Sequence, residues 1–499
     1  MTDAPSTAGT VFAAVDIGAS SGRVILGRIT REAGNPAVVL ETVHRFPNGV
    51  VESDGGLRWD FDALFTEVLT GLAAAATTAK QRGERIASIG IDTWAVDYGR
   101  VNAAGELAAQ SYSYRDDRSR GAVEKVHQRL DPARLYATTG LQFLEFNTIY
   151  QLASEADLHG IQALLIPDLI AFFLTGQRRT EVTNASTTGL FDAVAGEWAT
   201  EFLTALELPP DLFPPLIQPG ETIGTLLPSM AAQTGLPQET TVVAVGSHDT
   251  ASAVAAAPAQ TEDFAYISSG TWSLVGVEPR HPVLTEASRL ANFTNERGID
   301  GTIRYLRNAG GLWLLSECQR AWTAGGRMLS LAELLDGAAA LPAGGPLVNA
   351  GDPGFTAPGN MPERIRAAAS EAGADLRDEP AAIVRCIMDS LAAGYARTIR
   401  DAERLAGRDI DVVHIVGGGS QNRLLCQLTA DATGRPVIAG PVEATALGNV
   451  LVQARAAGTV RGGLAGLRQL LAGGTALERY EPAVPTNGPR PASHLFQQN

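Results

Sequence analysis

The chain has 499 residues, a formal net charge of −15, and 45% hydrophobic against 19% charged residues. That is the composition of a folded globular protein, and at ~100–200 residues per domain the length predicts two or more domains with large cores. The acidic balance excludes a binder of the nucleic-acid backbone, which needs a basic stripe to replace released counterions.

In chain order, an apolar strand from Val11 to Val15 runs into a small-residue turn, Asp16 to Arg23, and a returning strand follows from Val24. An amphipathic helix is predicted through Phe61, Leu64, Phe65, Val68, Leu69 and Leu72, with Asp60 as its N-cap. A buried strand, Ile86 to Asp92, leads into Thr93, Trp94, Ala95, Val96 and Asp97, and the first half closes on an apolar run from Thr241 to Val245. Near residue 260 the pattern restarts, with a strand from Phe264, a turn over Ser268 to Trp272 and a returning strand to Val277. A helix through Ile383, Val384, Ile387, Leu391 and Tyr395 precedes the strand Val412 to Val416, which opens into Gly417, Gly418 and Gly419. The hairpin opens each half, so a duplicated α/β architecture is expected, with domains at 11–258 and 263–458. A loose tail is expected over 477–499.

Each hairpin turn has the makings of an anion site. Gly18 and Gly22 let the backbone approach a phosphate, Ser20 and Ser21 add hydroxyls, and Arg23 adds a guanidinium. Asp16 is suited to hold Mg²⁺ directly or through water. The alternative is an ordinary hairpin whose Gly and Ser only satisfy turn geometry. A strand rather than a helix follows the glycines, which excludes the dinucleotide fingerprint. Ser268 to Thr271 repeats the design, with the Thr271 hydroxyl in reach of a terminal phosphate, and Gly417 to Gly419 adds a loop between strand and helix. His248, Asp249 and Thr250 sit where a buried strand becomes a helix. Asp249 is either a helix cap or the carboxylate that accepts a hydroxyl proton during phosphoryl transfer, with His248 orienting the acceptor.

Other classes are excluded by what is missing. The only lysines, Lys80 and Lys125, follow no glycine-rich loop, so neither a P-loop nor a protein-kinase reading applies. Cys318, Cys386 and Cys426 form no CxxC pair, which argues against a disulfide scaffold or a cysteine-rich zinc site and fits a reducing compartment. No apolar run approaches the ~18–20 residues that span a bilayer, and no basic region leads into an apolar stretch near Met1. A cytoplasmic protein without membrane or nucleic-acid partners is expected.

Taken together, Ala14 to Val24, Ser88 to Trp94, Tyr114 to Asp116, Phe146 to Gln151, Ser247 to Ala253, Ser268 to Leu274, Asn308 with Gly311 to Trp313, and Gly440 to Ala444 resemble the FGGY family of carbohydrate kinases. The resemblance runs from about Val11 to Gly458. Its Trp- and Asn-containing blocks are similar to the subgroup that phosphorylates L-rhamnulose. It implies a two-lobed actin-like ATPase fold, ribonuclease H-like, with duplicated domains and a central cleft for ATP and sugar. It further implies transfer of the γ-phosphoryl of ATP, with Mg²⁺, to the sugar's 1-hydroxyl. By position, Ala19, Ser20, Ser21, Gly22, Arg23, Thr271 and Gly418 correspond to ATP contacts. Ala95, His248, Asp249, Thr250 and Asn308 correspond to sugar contacts, with Asp249 as proton acceptor and Asp16 at the metal. Two positions depart from the pattern: Ala95 replaces a glycine beside the sugar, and Ser316 replaces a glutamine near the nucleotide. Kinases of other ketoses or polyols, such as L-fuculose, share the phosphate turns. A non-catalytic actin-like ATP-binding module is the alternative from another class.

Overall fold

The computed structural model describes residues 9–32, 35–474 and 477–483. The chain divides into two compact units. The first holds Met1–Gln260, Pro279–Tyr305 and Ala444–Thr475; the second holds Thr261–Glu278, Leu306–Glu443 and Ala476–Asn499. The chain changes unit after Gln260, but the units are interleaved rather than continuous like the stretches 11–258 and 263–458.

The first unit is built on a six-stranded sheet in the order Thr222–Thr225, Thr241–Val243, Arg85–Thr93, Thr10–Ile17, Ser21–Glu32, Asn35–Pro47. The strands Thr241–Val243, Arg85–Thr93 and Thr10–Ile17 are parallel, so their carboxyl ends lie along one edge. Val11, Phe12, Ala13, Ala14, Val15 and Ile17 are all buried, as expected of a strand covered on both faces. One cover is the helix Phe61–Gln81, whose N-cap Asp60 accepts from the Ala63 amide at 3.0 Å. Its buried stripe is Phe61, Leu64, Val68, Leu72, Ala75 and Ala79, while Phe65 and Leu69 flank it half-buried. Each large apolar side chain in that stripe contributes about 1.5–3 kcal/mol on burial.

The late helix Ala444–Ala456 belongs to this same unit, and glycines on both sides let it approach closely. A Cβ at Gly448 would run into the Ser252 carbonyl, and Val450 packs where a Cβ on Gly27 would otherwise sit. Two polar side chains on the helix are fully buried, and both are bonded to the sheet. Gln453 accepts from Ser88 Oγ at 2.7 Å and donates to the Ala13 carbonyl at 3.1 Å and to Asn449 Oδ1 at 2.6 Å. No sequence boundary marks this return, since the residues that demand it are ordinary Ala, Gly, Asn and Gln.

The second unit opens with the antiparallel hairpin Phe264–Ser269 and Ser273–Val277, which repeats the design of the first. Val412–Val416 lies parallel to Phe264–Ser269, and Val437–Ala439 parallel to Val412–Val416. The helix Pro380–Ala406 buries Ile383, Val384, Ile387, Leu391 and Tyr395, and the Tyr395 hydroxyl is 2.6 Å from Ser273 Oγ. The tail expected from residue 477 begins instead with an edge strand: Glu478–Tyr480 pairs antiparallel with Val437–Ala439. Residues 484–499 of that tail lie outside the described residues. Cys318, Cys386 and Cys426 are buried thiols. No helix among the described residues is long and apolar enough to cross a membrane.

Candidate active site

In the first unit, the parallel strand ends bring distant residues into one row. Asp16 pairs in register with Asp92, and Ile17 with Thr93. Thr93 in turn bridges His248 and donates its amide to the Ser247 carbonyl at 2.9 Å. Asp16, Ala95 and the pair His248–Asp249 therefore issue from three adjacent strand ends, the position where open α/β sheets keep their sites. Within the stretch 91–99, Ala95 is the one residue not buried.

The turn after Asp16 is tied down at its base and open at its tip. The Gly18 amide donates to the Ser21 carbonyl at 2.9 Å, and Asn48 Nδ2 donates to the Gly18 carbonyl at 2.8 Å. Ser20 and Ser21 are exposed, and Ala19 is half-buried. Gly22 has a packing reason of its own, since a Cβ there would enter the Phe46 ring. Arg23 Nε and Nη2 both donate to Asp16 Oδ2, at 3.0 and 2.8 Å.

Among the described residues, no group of three His, Cys, Asp or Glu side chains converges as a metal cage. The Mg²⁺ that the resemblance implies would not need one. Magnesium takes one or two carboxylates and fills its remaining positions with phosphate oxygens and water. Both Arg23 contacts fall on one oxygen of Asp16, and neighbouring Asp92 carries a buried Oδ1 without a hydrogen-bond partner. The residues present fit the ion.

Asp249 is the first residue of the helix Asp249–Ala255, and its cap position is His248, which makes no side-chain cap bond. The capping alternative thus does not describe the side chain. Its Oδ1 accepts from Thr250 Oγ1 at 3.1 Å and lies 3.5 Å from His248 Nε2. Burial, together with the nearby charge of Asp16, raises the pKa of Asp249, while His248 opposes the rise. The side chain is still 34% exposed, so the push is milder than on fully enclosed Asp92, which burial and then Asp16 hold well above the usual carboxylate range.

His248 is held from behind by a buried ion pair. Its Nδ1 lies 3.2 Å from Glu296 Oε2 and 3.1 Å from Arg304 Nη2, and Arg304 Nη1 lies 2.9 Å from the same Glu296 oxygen. Burial opposes ionisation of Glu296, but Arg304 and His248 together outweigh it and lower its pKa. A second buried carboxylate, Glu181, accepts from the Ser247 amide at 3.0 Å and Ser247 Oγ at 2.8 Å, fixing the residue before His248.

In the second unit, three predicted positions meet at one turn. The Leu312 amide donates to the Gly270 carbonyl at 3.0 Å and the Trp313 amide to the Thr271 carbonyl at 3.1 Å, so the 310–313 loop lies on the Ser268–Thr271 turn. A Cβ on Gly419 would enter the Ser269 side chain, which brings the Gly417–Gly419 loop onto the same turn. Gly418 is exposed with open space around it, and Asn308 is half-buried at the end of Ile303–Asn308. Ser316 is exposed in the first turn of the helix Trp313–Ala324.

The sequence reading missed the supporting residues: Asn449, Glu181, Glu296 and Arg304 lie far from the motifs they support. Asp92 and Asp97 stood inside recognised segments but carried no signal of their own.

Residues 11–256 match the N-terminal domain and residues 265–457 the C-terminal domain of the FGGY family of carbohydrate kinases. The chain belongs to that family, and the alternative of an ATP-binding module without sugar chemistry falls away. It is 42% identical over 477 residues to a rhamnulokinase of Bacteroides thetaiotaomicron, covering 94% of this chain and 96% of the relative. It is 38% identical over 455 residues to the rhamnulokinase of Bacillus subtilis, covering 90% and 91%. Among solved structures it resembles a xylulose kinase from Lactobacillus acidophilus, with a TM-score of 0.74 at 16% identity over 95% of this chain and 94% of that one. It resembles Plasmodium falciparum glycerol kinase with ADP equally, at a TM-score of 0.74 and 15% identity, with the same coverage. The fold is that of the two-domain, actin-like sugar kinases.

Proposed function

We propose that this kinase transfers the γ-phosphoryl group of ATP to the 1-hydroxyl of L-rhamnulose, giving L-rhamnulose 1-phosphate and ADP in rhamnose breakdown in the cytoplasm. One observation carries the chemistry: Asp249 follows His248, which bridges Thr93 at the neighbouring strand end, is not consumed as a helix cap, and accepts from Thr250. The sugar's name comes from relatives that share about two-fifths of the sequence over nine-tenths of the chain.

The 1-hydroxyl oxygen forms the new bond to the γ-phosphorus as the bond to the β-phosphate oxygen breaks. Asp249 accepts the hydroxyl proton, and its raised pKa brings it closer to that proton's acceptor range. His248, fixed by Glu296 and Arg304, orients the sugar, with Thr250 and Asn308 as further sugar contacts. Ala19, Ser20, Ser21, Gly22, Arg23, Thr271 and Gly418 are the nucleotide contacts by their correspondence to the family pattern. Ser316, where the family has a glutamine, is a water-mediated ATP contact. When bound at Asp16, Mg²⁺ supplies charge neutralisation of the phosphates. Because Ala95 replaces the family glycine, a neighbouring ketose such as L-fuculose is the second reading. ATP turnover across a panel of ketoses and polyols tests both: the highest kcat/KM is expected with L-rhamnulose, and a higher value for another sugar would reassign the substrate.

A further inference from the structure

The four residues that follow the strand Arg85–Thr93 adopt a conformation that their composition does not favour. Val96 has φ 68°, in the left-handed region that a β-branched side chain rarely enters, and the Asp97 amide donates to the Ala95 carbonyl at 3.0 Å. The result is a tight three-residue γ-turn with Val96 at its centre, a strained arrangement that persists only where its surroundings over-determine it.

The surroundings converge on one carboxylate. Asp97 Oδ2 accepts from Trp59 Nε1 at 2.6 Å, Trp94 Nε1 at 3.0 Å and the Tyr114 amide at 3.1 Å. Its Oδ1 accepts from Gln151 Nε2 at 2.9 Å. The same Gln151 amide nitrogen reaches the Phe146 carbonyl at 2.9 Å, and Thr148 Oγ1 donates to the Val96 carbonyl at 2.7 Å. Tyr114 and Phe146 then meet with ring centroids 5.4 Å apart. Three chain segments, 94–97, 114 and 146–151, are therefore tied to a single side chain that is 1% exposed. With four donors already on it and 1% of its surface exposed, Asp97 is enclosed by the protein rather than open to a ligand.

We propose that Asp97 is a positioning residue of the sugar pocket: it locks the γ-turn at Val96 so that Ala95 is presented beside His248, and ties Tyr114 and Phe146 to the same frame. This rests on reading Ala95 as a sugar contact. Asp97 does not touch substrate; it fixes the backbone that does. A carboxylate is required because only an ionised acid offers acceptor sites to all four donors with no donor of its own.

The test is Asp97→Asn, which keeps shape but places an amide N–H₂ among N–H donors. We expect KM for L-rhamnulose to rise at least tenfold, with KM for ATP changed less than twofold and the tryptophan emission shifted as the acceptor shared by Trp59 and Trp94 changes from a carboxylate to a neutral amide. Thr148→Val, a milder change, removes only the hydroxyl that grips the Val96 carbonyl and should raise KM for the sugar about threefold. It decides the matter if Asp97→Asn does not fold. Unchanged sugar KM in a folded Asp97→Asn, or in Thr148→Val where the former is insoluble, overturns the inference while leaving the kinase assignment standing. If the wild type prefers another ketose, the substrate reading fails and the same ratio is measured with that sugar. Turnover with no sugar of the panel overturns both.

Discussion

Asn449 Nδ2 donates to Asp92 Oδ2 at 2.5 Å, joining two residues 357 positions apart within the first unit. The bond ends a chain that runs from Ser88 through Gln453 to Asn449, all of it buried. Because Asp92 Oδ1 has no partner, Asn449 is the side-chain donor that keeps this carboxyl from being wholly unsatisfied. Asn449→Ala, which removes the donor without adding bulk, should cost at least about 1–3 kcal/mol in urea unfolding, the penalty of stranding a buried acceptor. Asp92→Asn, which removes the acid instead of its donor, should cost less. If the order were reversed, Asp92 would be stabilised by something other than Asn449.

Ala95→Gly tests the proposed sugar contact. The methyl removes space without removing a hydrogen bond, and hydrophobic size discrimination of that kind is worth about 1–3 kcal/mol. The ratio of kcat/KM between L-rhamnulose and L-fuculose should therefore shift, by roughly tenfold at the lower end of that range, while KM for ATP stays constant. An unaltered sugar profile would reduce Ala95 to a strand-end residue.

The opening hairpins, the helix behind Asp60 and the strand leading to Asp92 were legible because their signals are local: apolar runs, turn residues and a capping side chain. The cluster proposed to carry the chemistry is local too, since His248, Asp249 and Thr250 are contiguous. What holds them was not. Glu296 and Arg304 reach His248 from 48 and 56 residues downstream, and Asn449 returns from the other end of the chain, through pairings that only the folded topology creates. The Val96 γ-turn was hidden differently, because nothing in a β-branched residue announces a left-handed backbone. The edge strand Glu478–Tyr480 escaped notice because three residues are too few to show alternation.

Asp97 makes stability depend on pH in a defined direction. Burial raises its pKa from 3.8 to about 6, against the opposing bonds from Gln151, Trp59, Trp94 and the Tyr114 amide. Between those values the native state holds a proton that the unfolded chain has released, so stability falls as pH rises through about 4 to 6 and levels off above. The full change is about 3 kcal/mol. Urea unfolding of wild type minus Asp97→Asn from pH 4 to 7.5 should reveal this slope. A flat difference would mean that the four donors fully offset burial.

Glu296 has the opposite sign. Its pKa is lowered by Arg304 and His248 despite burial, so its contribution is present above the ordinary value of 4.5 and is lost as pH falls through the lowered one. Glu296→Gln leaves Arg304, which is 0% exposed, without its counter-charge. A loss of about 3–5 kcal/mol is expected at neutral pH, read by thermal or urea unfolding. A loss below 1 kcal/mol would show that Arg304 finds compensation elsewhere.

The decisive substitution for the chemistry is Asp249→Asn. A sugar hydroxyl is a poor nucleophile, and its proton must leave as the bond to phosphorus forms. Asn keeps the shape of the side chain, its acceptance from Thr250 Oγ1 and its place at the first helical residue, but it cannot take up a proton. General-base loss costs ~10²–10⁴ in rate, so kcat should collapse by that factor while ATP and sugar still bind. His248→Gln should act on the other parameter, weakening sugar binding more than turnover, because in the proposed mechanism His248 orients the sugar and Asp249 takes its proton. Isothermal titration of both ligands into Asp249→Asn separates lost chemistry from lost binding. If Asp249 served only the helix, the Asn variant would keep its kcat with slightly altered stability, because Asn is as compatible with a helix start as Asp. A kcat within threefold of wild type would sink the mechanism, and a variant that neither binds sugar nor turns over would move Asp249 from base to binding contact.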